Sequence, residues 1–229
     1  MLLFIGILVI VAIVGIVSYF VTQQRIRDMR TFATAHSLTF IGNRWDLGDC
    51  GFSLFDSGNR RYWRNVLRGT WNGLPVTYCD YTYVEQTGRN SVSYSFSNVL
   101  TPLGTPMPWV TVFPRSALGA LAERSIGAPG IRFESIDFND RYDVHCSDQA
   151  FAVELIDAQM IETLLGLDHG CHVVFGPEYL MIYAHRRPVS AIGAILDATV
   201  TVTQRIPALV RARSDPAQPV PEEPQPPTV

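Results

Sequence analysis

Residues 2–21 read LLFIGILVIVAIVGIVSYFV, a run without a charged side chain whose only polar groups are Ser18 and the Tyr19 hydroxyl. In hydrocarbon a backbone N–H or C=O has no water to bond, so such a run is stable in lipid only as a helix that closes its own hydrogen bonds. At ~1.5 Å per residue it reaches ~30 Å, the thickness of a bilayer's apolar core. The sequence therefore predicts a transmembrane helix over residues 1–22, with the lipid bilayer as the partner of residues 2–21. A cleaved leader fits less well. No basic residue precedes the run, the run is too long, and the small-residue triplet Ala33-Thr34-Ala35 lies beyond three arginines.

Those arginines, Arg25, Arg27 and Arg30, set the expected direction. Basic residues flanking a membrane helix stay on the inner side, which predicts an N-terminus outside and a cytoplasmic C-terminal domain at the cell (inner) membrane. No glycine or proline interrupts the chain between the run and Gly42, so a juxtamembrane helix is expected over residues 23–41.

The rest of the chain, residues 42–210, is long enough to bury a core of its own. All 18 basic residues are arginine, which is compatible with a high-GC bacterial coding bias. The formal net charge of −3 argues against nucleic acid as a partner. Cys50, Cys79, Cys146 and Cys171 follow no metal or redox spacing and read as thiols in a reducing compartment. Residues 211–229 are rich in proline and predicted to be a disordered tail; its two P-x-x-P stretches can also dock in aromatic grooves.

Within residues 42–210 the pattern is α+β: an antiparallel sheet packed by helices. Segments 43–60 read as loop. WRNVLRGTW and LPVTYCDYTYV flank Asn72-Gly73, a dipeptide suited to a type I′ hairpin turn because both residues tolerate positive φ. SVSYSFSNVL, WVTVF, IRFES, RYDVHC, CHVVFG and YLMIYAH read as further strands, the last two as a hairpin around Pro177-Glu178. Helices are expected over 116–124, over 149–166 with Asp148 as cap and a break within it, and over 188–206. The last carries Asp197, three threonines and Gln204, which favours an amphipathic helix over a second membrane span.

Two clusters carry candidate chemistry. His169, Cys171 and His172 are residue types that ligate zinc or form a Cys–His nucleophile pair, with His145-Cys146 available to complete either. Their spacing matches no known finger, neighbouring strand residues point to opposite faces, and a helix C-cap turn explains the same residues. Arg60, Arg61, Arg64 and Arg68 interleave with Tyr62 and Trp63. In a regular strand Arg64 and Arg68 would share one face with Tyr62 and Val66, and Trp63, Leu67 and Trp71 the other. That arrangement suits a solvated face or a contact with anionic headgroups. No cofactor motif is present.

The segment Phe133, Ser135, Phe138, Arg141, Tyr142, Val144, then Ser147, Asp148, Ala152 and Met160, resembles a run shared by a family of bacterial membrane-anchored proteins of unknown function, as does the hairpin RNVLRGTWNGLPVTYCDYTY. The resemblance implies an anchored α+β domain and brings no activity or site residues. The functional expectation is a binding or scaffold module without catalysis. The alternatives are a membrane-associated enzyme using the His/Cys cluster and a sensor of anionic lipid surfaces.

Overall fold

The computed structural model describes residues 2–44, 50–88, 90–115 and 130–213, excepting the side chains of residues 2, 3, 5, 7, 8, 11, 87 and 213. The helix expected over 116–124 and residues 214–229 of the expected tail lie outside these residues, whereas residues 211–213 of that tail are helical. In chain order the elements are α1 (Leu2–Ala35), β1 (Thr39–Gly42), a 3₁₀ turn (Ser53–Asp56), β2 (Arg60–Trp71), β3 (Leu74–Thr87), β4 (Asn90–Pro102), β5 (Val110–Pro114) and β6 (Gly130–Ile131). There follow α2 (Ile136–Arg141), β7 (Tyr142–Cys146), α3 (Gln149–Leu155), α4 (Ala158–Leu165), β8 (His172–Phe175), β9 (Tyr179–His185), a 3₁₀ turn (Val189–Ala191), α5 (Ile192–Arg205) and α6 (Ala208–Arg213). The fold is α+β with antiparallel pairing, divided into two compact units: residues 1–101 with 181–200, and residues 102–180 with 201–229.

In the first unit the strands lie in the order β1-β2-β3-β4, with β9 beside β4. The β2–β3 hairpin turns at Asn72 (φ 47°) and Gly73 (φ 83°), the two positive-φ positions of the expected type I′ turn. The register pairs Tyr62 with Thr82, Arg64 with Asp80, then Leu67 with Tyr78. Asn65 and Val66 therefore form a bulge, with Asn65 in the left-handed region at φ 50°, a conformation that asparagine tolerates better than most residues. The extra residue inverts the pleat. Arg64 and Leu67 share a face, and Arg68 falls on the face of Trp63, so the regular alternation expected across Arg60–Arg68 does not hold.

One face of this sheet is aromatic. Trp63, Tyr81, Tyr83 and Phe96 come together by register, and Phe55 from the first 3₁₀ turn covers them, with Phe52 packed on Phe55. Ring centroids of Phe55 and Tyr81 are 5.0 Å apart, in the edge-to-face geometry that adds to area burial. The opposite face receives α1. That helix is exposed at every described side chain from Phe4 to Thr22, then buries Met29 and Ala33 and half-buries Arg25, Ile26 and Phe32 at helical spacing.

Helix α1 ends earlier than expected. Ser37 takes φ 55°, the Leu38 N–H returns to Ala33 O at 2.8 Å, and the Ser37 N–H to Thr34 O at 3.4 Å. This is a Schellman C-cap, usually marked by glycine. Leu38 then packs so tightly on Gly69 that a Cβ there would lie 2.8 Å from Leu38 Cδ2.

In the second unit the strand order is β8-β5-β7-β6. The expected strand IRFES shrinks to Gly130–Ile131, because the Ser135 hydroxyl caps the Phe138 N–H (3.3 Å) and starts α2 instead. Asp148 caps α3 through the Phe151 N–H at 2.9 Å, as expected. Asp157 caps α4 through the Met160 N–H at 2.8 Å, which fixes the break between the two helices.

Candidate functional site

The densest buried polar cluster lies in the first unit, where α1 crosses β3. Asp80, 3 % exposed, accepts four hydrogen bonds. Arg25 donates from Nε to Oδ2 and from Nη2 to Oδ1, both at 2.7 Å; Asn65 Nδ2 donates at 2.8 Å and the Tyr78 hydroxyl at 2.7 Å. Arg25 Nη1 also donates to Arg187 O at 2.9 Å. Ser97 Oγ accepts from the Arg187 N–H at 3.0 Å and lies 2.8 Å from the Tyr78 oxygen. Since Tyr78 donates to Asp80, the Ser97 hydroxyl donates to Tyr78, and each proton has one place.

Strand register and the bulge explain the positions within the sheet. Tyr78 and Asp80 are two residues apart in β3 and so point to one face, and Ser97 joins them through its pairing with Asp80. Asn65 reaches the carboxylate because the bulge turns it there. Arginine suits the site because its planar fork meets a carboxylate at two points, which a lysine ammonium cannot do. Burial alone would lower the Arg25 pKa. The hydrogen bonds and charge of Asp80 outweigh it, and the guanidinium is held above its ordinary value. Burial first, and the Asp80 charge second, push the Tyr78 phenol well up, so it remains a donor.

A carboxylate offers about four acceptor positions, and here all are taken. The cluster can hold the helix against the sheet but has no free base with which to move a proton.

A cleft of about 400 Å³ opens in the second unit, walled by Phe133, Val153, Ile156 and Ile161, with Arg132 and Glu134 among its lining residues. Its Ser135 and Asp157 are engaged as helix caps. It is a largely apolar recess of a size suited to a small molecule.

The residues singled out in the sequence are placed as follows. His169 is exposed, Cys171 is buried, and His172 is buried against Phe113 with ring centroids 5.4 Å apart. Among the described residues no three His, Cys, Asp or Glu side chains gather as a metal site. None of the four cysteines forms a disulfide. Burial raises the Cys79 and Cys146 thiols, the opposite of what a nucleophile needs. Arg60, Arg61 and Arg64 are exposed and Arg68 is half-buried; Arg61 reaches Asp56 and Arg64 lies over the Tyr62 ring at 5.3 Å.

The motif residues in the second unit act structurally. Ser135 and Asp148 are caps, and Phe138 packs on Phe133 and Tyr142. Arg141 donates to the carbonyls of Leu165 and Leu167 at the end of α4, and the Tyr142 hydroxyl to Leu164 O. The Arg25–Asp80 junction was not visible in the sequence, where the two residues stand 55 positions apart.

Among the described residues no helix is long and apolar enough to cross a membrane. Several side chains of the 2–21 run fall outside that description. Those described include Phe4, Val9, Ile10, Ile13, Val14, Ile16, Val17 and Phe20, each more than half exposed.

No protein-family model matches this chain, and no curated protein matches it. Its fold is similar to the crystal structure of the mycobacterial trehalose monomycolate transport factor A, TtfA. The TM-score is 0.57 at 11 % identity, over 79 % of this chain and 91 % of that one. At that identity the likeness is one of fold.

Proposed function

We propose that this chain is a membrane-anchored accessory module, a non-catalytic binding or scaffold domain held at the cytoplasmic face of a cell membrane by residues 2–21. The observation that carries the reading is the division of labour along one unbroken helix. The first part of α1 exposes apolar side chains to its surroundings, and the second part is locked to the sheet through Arg25 and Asp80. An apolar surface of that kind is unfavourable in water by ~25 cal/mol per Å² and favourable in lipid. The arginines after it supply the direction by the positive-inside rule. The saturated carboxylate and the raised thiols support a module that binds rather than transforms. The fold neighbour is by name a transport factor, which is consistent with an accessory role.

The test is fractionation of cells expressing the full chain, followed by labelling of intact cells with an impermeant reagent. The reading expects extraction only by detergent and labelling confined to the N-terminal side. Recovery in the soluble fraction without detergent overturns the anchor; labelling of residues beyond 30 overturns the direction. Turnover of a substrate by the purified full-length chain in a broad hydrolase and transferase panel overturns the non-catalytic part.

A further inference from the structure

We propose that the strand ends beside the point where α1 leaves the first unit form a contact for anionic lipid headgroups, built from Arg60, Arg64 and Arg186. The inference rests on the anchor reading and names the second partner surface of the same assembly.

The geometry follows from the register. Phe32 and His36 stack against Trp71 near the hairpin turn, and Arg25 meets Asp80 further along β3. Toward its N-terminus α1 therefore runs toward the last residues of β3 and the first of β2 and β4. Three rows of paired residues mark that direction: Arg64 with Asp80 and Ser97, Tyr62 with Thr82 and Ser95, Arg60 with Val84 and Ser93. At ~3.3 Å per residue the second and third rows lie ~7 and ~13 Å beyond Asp80. From Arg25 to Val21 the helix rises ~6 Å, and at Val21 and Thr22 its side chains are exposed. The helix leaves the sheet at the Tyr62 row. Arg186 joins that row, because its N–H donates to Ser95 O at 2.9 Å.

The charge there runs against that of the whole chain. Arg60, Arg64 and Arg186 are exposed, and Arg187 is half-buried beside them. Of the acids nearby, Asp80 is held by Arg25 and Asp56 by Arg61; Asp28 is exposed on α1, and Glu85 is half-buried one position beyond the third row. A molecule of formal net charge −3 thus concentrates cations where its anchor emerges. Tyr62, 37 % exposed under the Arg64 guanidinium, adds an amphipathic ring suited to the headgroup layer. A protein partner of ordinary composition explains neither the cation excess nor its place at the helix exit.

The experiment uses the full chain in nanodiscs of phosphatidylcholine alone or with phosphatidylglycerol, read by amide hydrogen exchange. Residues 60–66 and 184–190 are expected to exchange at least two-fold more slowly in the anionic discs, with residues 150–165 unchanged. High salt, which cuts the screening length to ~3 Å, removes the difference. So does Arg64→Glu with Arg186→Glu; Arg64→Gln with Arg186→Gln, the gentler pair, reduces it. Equal exchange in both discs by an incorporated chain overturns this inference and leaves the anchor standing. Failure of the chain to incorporate into either disc overturns both.

Discussion

Replacing Arg25 by glutamine deprives a carboxylate 3 % exposed of its charge partner and of two charge-assisted hydrogen bonds at 2.7 Å. Breaking a buried ion pair from one side costs ~3–5 kcal/mol, because the remaining charge stays in a medium that solvates it poorly. Asp80 keeps the donors Asn65 and Tyr78, and Arg25 is itself 14 % exposed, so the lower end, ~3 kcal/mol, applies. For a chain of this size each kcal/mol moves the melting temperature by ~2–4 °C, which gives a fall of ~6–12 °C. The assay is thermal unfolding of the full chain in detergent, followed by tryptophan fluorescence. Arg25→Gln combined with Asp80→Asn removes both charges and is expected to recover at least half the loss, the excess over additivity measuring the coupling. A single variant within ~1 kcal/mol of the parent, or a double variant as unstable as the sum of its parts, refutes the assignment of the junction as the clamp between helix and sheet.

Three further outcomes follow from the same structure. Burial, first among the causes, raises the phenols of Tyr78, Tyr81 and Tyr183, so their stabilisation is complete below the unfolded value of ~10 and declines as pH climbs above it; tyrosinate absorbance should show these three ionising together with unfolding, and their titration in the folded chain near pH 10 would contradict it. Ser37→Gly relieves a left-handed serine at the C-cap of α1 and should stabilise the chain by ~0.5–1 kcal/mol in chemical denaturation, a loss of stability being the contrary result. Iodoacetamide should modify half-exposed Cys50 well before buried Cys79 and Cys146, whose thiols burial has raised, and mass spectrometry of the folded chain reads the order directly.

What could be foreseen from sequence was local. Asn72-Gly73 announces its turn because two adjacent residues must accept positive φ, and Asp148 announces its helix because a short acceptor three residues before Phe151 has one good use. Ser37 ends α1 in the place where glycine is the usual signal, so the helix was expected to run on to residue 41. Ser135 looked like the end of a strand and is a cap. The bulge at Asn65 adds one residue without changing composition, yet it reverses every face after it, which is why the arginine stripe did not survive. In the sequence Arg25 counts only as a charge beside an apolar run; its meeting with Asp80 depends on a tertiary docking of α1 on the sheet that no local pattern records.

The docking of α1 has a consequence for phase as well as for position. Because one helix carries both the apolar run and the Arg25 contact, each residue between them acts as an angular gear tooth of about 100°. Adding one alanine between Val21 and Arg25 would turn everything upstream by that angle about the helix axis, whereas adding four would bring it nearly back to its starting azimuth, ~6 Å farther out. Whichever side of the apolar run meets a neighbour is thereby tied to the compass heading of the sheet.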